Sequence, residues 1–236
     1  MKKRYLSKVA LFALSTSILI PTTGSPVFAE TQPTTTSKPT EEVIYDKEYQ
    51  EKLNNMKPFI EAYDKKGNLI KSYSEEEIEQ LQQEILAPDI YKQPETNGEP
   101  FTATYDENRN MISSSDTNLL NAHKSALEKV KAAGLTVYNY EPTQFGSSIY
   151  IGGGSGKLFS KPQSVVIDAK KKFSSMAVRV IQDGSEVGSI KVGGFLGGIN
   201  VPISKFTSRG GQYKIQFQNL DPNGYTIFLN GGQVYY

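Results

Sequence analysis

The chain of 236 residues contains no cysteine and no tryptophan, and its only histidine is His123. Without thiols there is no disulfide framework, no thiolate nucleophile, no lipid-modified cysteine and no zinc or iron–sulfur site built on sulfur. A metal site would have to be made of oxygens, and sugar stacking on tryptophan is excluded. Beyond residue 20 no run is apolar enough to cross a bilayer, so no membrane span is expected after the N-terminal segment.

That segment has the layout of an export signal. Lys2, Lys3, Arg4 and Lys8 put positive charge around the start of an apolar run over residues 9–20, and Ser25-Pro-Val-Phe-Ala29 places small residues at a cleavage site. The run is about 12 residues, whereas a spanning helix needs roughly 20, so residues 1–29 are expected to be removed. The last residues, Gly231-Gly-Gln-Val-Tyr-Tyr236, lack the hydrophobic segment and basic tail of a covalent wall-sorting signal. The expectation is a freely secreted, extracellular protein. Met1-Lys-Lys-Arg-Tyr-Leu-Ser-Lys8 and Ser25-Pro-Val-Phe-Ala-Glu30 resemble the signal regions of secreted proteins of bacilli, and the layout is similar to their uncharacterised exported proteins. The resemblance is confined to these first 30 residues. It implies a Gram-positive extracellular location and carries over no functional residue.

Charge divides the remaining 207 residues. Residues 30–133 hold 12 basic and 20 acidic side chains, while 134–236 hold 10 basic and five acidic. Glycine follows the same step, with 17 of 20 at or beyond position 134, as suits strands joined by tight turns. Residues 30–40, rich in Thr and Pro, read as a disordered spacer; 41–134 as an acidic α+β region; and 135–236 as a Gly-rich β domain. Within 41–56, Val43, Ile44, Tyr49, Leu53 and Met56 form an approximate helical stripe.

The acidic region repeats itself at an offset of 42. Pro58/Pro100, Phe59/Phe101, Tyr63/Tyr105, Asp64/Asp106, Asn68/Asn110, Ile70/Ile112 and Ser72/Ser114 match without a gap. Each copy reads as strand, Asp-initiated turn, strand, N-cap and amphipathic helix. Ser74-Glu-Glu-Glu77 forms a capping box, Ile78, Leu81 and Ile85 supply the stripe, and Pro88 closes the helix. In the second copy Asp116 is the cap, Leu120, His123, Leu127 and Val130 are the stripe, and Gly134 is the stop. The two helices are expected to bury themselves against one another's hairpins.

Beyond Leu135 the pattern predicts nine strands, at 135–140, 147–151, 164–168, 176–182, 186–192, 199–203, 212–218, 225–229 and 233–236. Asp183-Gly184 is a two-residue hairpin turn, and Asn230-Gly-Gly232 a turn before the last strand. The expected fold is an α+β N-terminal region with two β-hairpin-plus-helix repeats, followed by an all-β sandwich.

Each catalytic motif is incomplete. Gly152-Gly-Gly-Ser-Gly-Lys157 lacks the leading glycine, the Ser or Thr after the lysine and the following helix of a phosphate loop. Asp106-Glu-Asn-Arg-Asn110 begins like a calcium loop, but Met111 and Thr117 stand where Gly and Glu belong, which favours a hairpin turn. His123 lies on an apolar stripe with no serine on its face of the helix, and reads as structural. Sugar-bond hydrolysis requires two carboxylates, and in the second half only Glu141 and Asp168 are left unexplained by turns or the wet side of the hairpin. They are the weak catalytic candidates.

The most basic stretch comprises Lys157, Lys161, Lys170, Lys171, Lys172 and Arg179, candidates for contact with an anionic polymer. Tyrosines 138, 140, 150, 213, 225, 235 and 236 offer sugar-binding faces without indicating a place for them. The reading that follows is a non-enzymatic extracellular or cell-wall-associated binding protein, needing no cofactor, metal or nucleic acid. Its partner would be an anionic cell-wall polymer or a glycan. The alternatives are a secreted polysaccharide hydrolase and a self-associating matrix protein.

Overall fold

The computed structural model describes residues 45–88, 90 and 101–236. The signal region, the 30–40 spacer, the start of the expected 41–56 helix and Pro100 of the repeat lie outside them. The acidic half contains α1 (Lys47–Asn55), β1 (Phe59–Asp64), β2 (Leu69–Ser72), α2 (Glu75–Gln83), β3 (Ala103–Tyr105), β4 (Met111–Ser114) and α3 (Thr117–Ala132). The Gly-rich half contains β5 (Val137–Tyr140), β6 (Thr143–Phe145), β7 (Ser148–Tyr150), β8 (Phe159–Ser160) and β9 (Ser164–Ala169). It continues with β10 (Met176–Gln182), β11 (Ser185–Gly193), β12 (Gly197–Pro202), β13 (Gln212–Asn219) and β14 (Ile227–Tyr235). The fold is thus mostly β, with three α-helices among the described residues.

Local chemistry accounts for the element ends. Ser74 Oγ accepts the Glu77 N–H at 3.2 Å while the Glu77 carboxylate accepts the Ser74 N–H at 2.9 Å, the reciprocal capping box that starts α2. Asp116 caps α3, accepting the amides of Asn118 and Leu119, and Gly134 takes a φ of 72° just past its end. α2 stops at Gln83, so Ile85 is not on the helical stripe and Pro88 does not close the helix. Residues 85–87 leave the helix to place Ala87 in an apolar cluster with Val130, Val137, Val166 and Tyr235.

The two hairpins turn in the same way. Asp64 Oδ1 accepts the amides of Lys66 and Asn68, and its Oδ2 accepts the Asn68 side chain. Asp106 makes the corresponding bonds to the amides of Asn108 and Asn110 and to the Asn110 side chain. Register shifts fall at Ala62/Tyr63 and at Thr104/Tyr105.

Among the described residues every strand pair is antiparallel. The seven-stranded sheet runs β2-β1-β11-β10-β13-β7, with β8 also on β13; the five-stranded sheet runs β12-β9-β14-β5, with β6 also on β14. β3 and β4 form a separate ribbon. β1 lies along β11, with Phe59 opposite Gly193 and Asp64 opposite Gly188, so strand pairing crosses the compositional step at Gly134.

One core takes Ile60, Met176, Val178, Ile190 and Ile215 from the larger sheet and Val165, Ile167, Ile199, Val201 and Leu229 from the smaller. The other face of the smaller sheet is covered too, which is why all six residues of β9 are buried. The helices do not exchange hairpins as expected. α2 packs on β12 and on β1 of its own hairpin, and α3 on β4 of its own hairpin, because each finds apolar cover close by.

The predicted turn at Asn230-Gly-Gly232 is a bulge within one strand, so 225–229 and 233–236 are not separate. Gly232 has no room for a side chain: a Cβ there would overlap the Val166 carbonyl oxygen and the Tyr140 hydroxyl. The bulge lets β14 stay paired to β9 on one side and to β5 on the other while Tyr140 closes over it. β6 and β8, not foreseen from the sequence, are three and two residues long, too short to display alternation.

Candidate functional site

A cleft of about 210 Å³ opens where β5, β6, β7 and the loop after β7 meet. Tyr138, Tyr140, Tyr150, Ile149 and Phe217 form its apolar lining, and Arg109 and Glu141 its charged one. Tyr138 and Tyr140, two apart on β5, point to one side of the strand and are buried at 4% and 6% exposure. The Tyr140 hydroxyl donates to the Val166 carbonyl at 2.7 Å, and its ring meets Phe217 edge-on, so it is floor rather than reaching arm. Tyr150 and Ile149 remain half-buried and offer apolar surface to a ligand.

The loop beyond β7 forms the rim. Gly156 N–H donates to the Gly153 carbonyl at 2.7 Å and Lys157 N–H to the Ile151 carbonyl at 2.9 Å, which closes the glycine run into a tight turn between short strands. The Lys157 ammonium stands 5.0 Å from the centre of the Tyr138 ring and donates to the Glu107 carbonyl.

Arg109 reaches the cleft from the β3–β4 turn, where Asn108 and Asn110 are tied to β5. The Asn139 amide donates to the Asn108 carbonyl at 3.0 Å, and its side chain donates to Asn110 Oδ1 at 2.8 Å. Gln233 donates to Asn139 Oδ1 at 3.0 Å, and the Tyr235 hydroxyl donates to Gln233 at 2.5 Å. Asn139 and Gln233 are buried polar groups satisfied by one another, a network that holds the turn firmly on the sheet. From there the Arg109 guanidinium pairs with the Glu141 carboxylate, both side chains about half exposed.

The predicted site residues do not come together. Glu141 lines the cleft, whereas Asp168 is not among its lining residues; it is buried on β9 and accepts from the Asn230 side chain at 3.1 Å. Of the basic set, Lys157 is not among the cleft's lining residues but stands over the ring of Tyr138, which is. Lys172 donates to the Asn54 and Met56 carbonyls at the end of α1, and Arg179 pairs with Glu186 at 2.6 Å and donates to Gln216. Lys171 lies over the Phe228 ring, while Lys161 and Lys170 are exposed. His123 is buried, and its Nε2 accepts the Met111 amide.

Sequence reasoning missed Arg109 and the grouping of Tyr138, Tyr140 and Tyr150. The alternation Tyr138-Asn-Tyr140 was visible, and so was arginine at the place where the first copy has Gly67. Among the described residues no cluster of His, Asp and Glu could hold a metal ion, and no helix is long and apolar enough to cross a membrane. No known protein family matches the chain, and no curated protein or solved structure matches it.

Proposed function

We propose that this is a secreted, non-enzymatic binding protein of the Gram-positive cell exterior whose tyrosine cleft holds a glycan, with cell-wall polymers as the partner class. One observation carries the reading: an open cleft joins aromatic and aliphatic faces to a half-exposed arginine–carboxylate pair. A sugar ring needs both, apolar surface for its C–H face and convergent donors and acceptors for its hydroxyls. At about 210 Å³ the cleft is smaller than the roughly 300–1,000 Å³ of pockets that enclose drug-sized ligands. It suits one residue of a longer chain lying across the surface.

The scaffold reading belongs with it. We take the two large sheets as the faces of a β-sandwich, because alternate residues of both enter one core. We take the two hairpin-plus-helix units as a duplication, because β4 and the start of α3 each lie 42 residues after β2 and the start of α2. Hydrolysis is less supported, since it calls for a second carboxylate roughly 5–9 Å from Glu141 and Asp168 does not line the cleft. A purely electrostatic wall contact is also less supported, since Lys172 and Arg179 are engaged within the protein.

The test is sedimentation of purified protein with isolated bacterial cell walls, with and without their anionic polymers, across a salt series. Retention that survives salt and polymer removal and falls in Tyr150→Ala supports the cleft. Retention lost with both would move the contact to the exposed lysines, and no retention would end the wall-binding reading.

A further inference from the structure

The turns at Asp64 and Asp106 use the same side-chain and backbone bonds, yet differ at the residue that must turn left-handed. In the first turn it is Gly67, at a φ of 81°. In the second it is Arg109, at a φ of 60°. Glycine takes that conformation without strain, whereas a β-carbon crowds the backbone there, so the arginine is the costlier choice for an identical turn. Lys161 and Asp183 also have positive φ, so strain alone does not mark a site. What distinguishes Arg109 is where the turn is held: the Asn139 and Gln233 network fixes it on β5, and Arg109 lines the same cleft as Tyr150 and Glu141.

Resting on the glycan reading above, we propose that Arg109 and Glu141 are the specificity pair of the cleft and select an uncharged sugar residue through two adjacent hydroxyls. The guanidinium donates to one hydroxyl oxygen and the carboxylate accepts the proton of the other, while the ring's apolar face lies along Tyr150. The contact with Glu141 is made through one terminal guanidinium nitrogen of Arg109, and a guanidinium carries five donors in its fork. The pair is half exposed, so water already competes for it and ligand hydroxyls can bridge the two groups at small cost. An anionic sugar would instead face the Glu141 carboxylate across the cleft, and Lys157 is engaged with Tyr138 and the Glu107 carbonyl. A neutral diol is the ligand that satisfies both members of the pair.

The experiment titrates the full protein with cellohexaose, maltohexaose, chitohexaose and, as the anionic arm, oligogalacturonate, by ligand-observed NMR and calorimetry. The proteins are wild type, Arg109→Gly, Arg109→Lys and Glu141→Gln. Arg109→Gly restores the residue that the other turn uses, so it should keep its melting temperature while binding an uncharged oligosaccharide at least about tenfold more weakly. Arg109→Lys keeps the charge but not the fork and should also bind more weakly, as should Glu141→Gln. Undiminished binding by Arg109→Gly overturns the pair assignment and leaves the glycan reading standing. Preference for oligogalacturonate, strengthened in Glu141→Gln, overturns the choice of an uncharged ligand. Failure of wild type to bind any of the four overturns the glycan reading and the pair assignment with it.

Discussion

The backbone amide of Met111 donates to Nε2 of His123 at 2.9 Å, joining β4 to α3 through the single imidazole of the chain. An imidazole that accepts at Nε2 is neutral with its proton on Nδ1, so this joint works as long as His123 stays uncharged.

Burial pushes the His123 pKa down from 6.5 to about 4, with the Asp106 carboxylate pulling the other way. Since the folded pKa lies below the unfolded one, the unfolded chain takes up a proton that the folded chain refuses. The stabilisation is complete above about pH 6.5 and is lost as the pH falls from there to about 4. Urea denaturation across this range should show a loss on the order of 3 kcal/mol. In His123→Leu that slope should flatten, with lower stability at neutral pH because the Met111 amide loses its acceptor.

Asp221 holds α1 to the β structure. The hydroxyls of Tyr49 on α1 and of Ser174 both donate to its Oδ2, the second at 2.5 Å, and Tyr225 donates to Asp46 at 2.6 Å. Asp221→Ala leaves two hydroxyls without an acceptor and should cost about 1–3 kcal/mol. Hydrogen exchange should then accelerate in residues 47–57 before it does in β9 or β14.

Lys172 closes the other end of that helix by donating to the Asn54 and Met56 carbonyls. Lys172→Ala should lower the melting temperature, whereas Lys170→Ala, at an exposed position, should leave it unchanged. Cell-wall retention measured on the same two variants should follow neither change. A drop in retention for Lys170→Ala would return the exposed lysines to the binding surface.

Gly232→Ala places a methyl group against Val166 and Tyr140, and overpacking of this kind costs typically 1–3 kcal/mol. The displaced Tyr140 ring is part of the cleft floor, so glycan binding and melting temperature should fall together. Tyr150→Ala should lower binding alone.

Removing residues 234–236 tests the placement of β14. Val234 faces Tyr138 on one side and Val165 on the other, so the deletion takes out the end of an interior strand. Circular dichroism should show loss of the cooperative melt; an unchanged melting curve would contradict the central position of β14.

Several features were legible in the residues alone because their bonds close within a few positions of chain. The capping box at Ser74 and Glu77, the Asp64 and Asp106 turns, and the Asp183-Gly184 hairpin each need only backbone geometry and one nearby side chain. Strand alternation likewise marked Met176, Val178 and Val180 as one buried face. What those rules do not contain is which distant surfaces meet. Whether Asn230-Gly231-Gly232 turns or bulges depends on Tyr140, which needs the space beside Gly232. β1 joins β11 because folding brings their apolar faces into one core. Tyr138, Tyr150 and Arg109 became a cleft only when Asn139 met Asn110 across 29 residues. Turn and cap chemistry is local and therefore written in the sequence, while burial is shared between residues that become neighbours only in the folded chain.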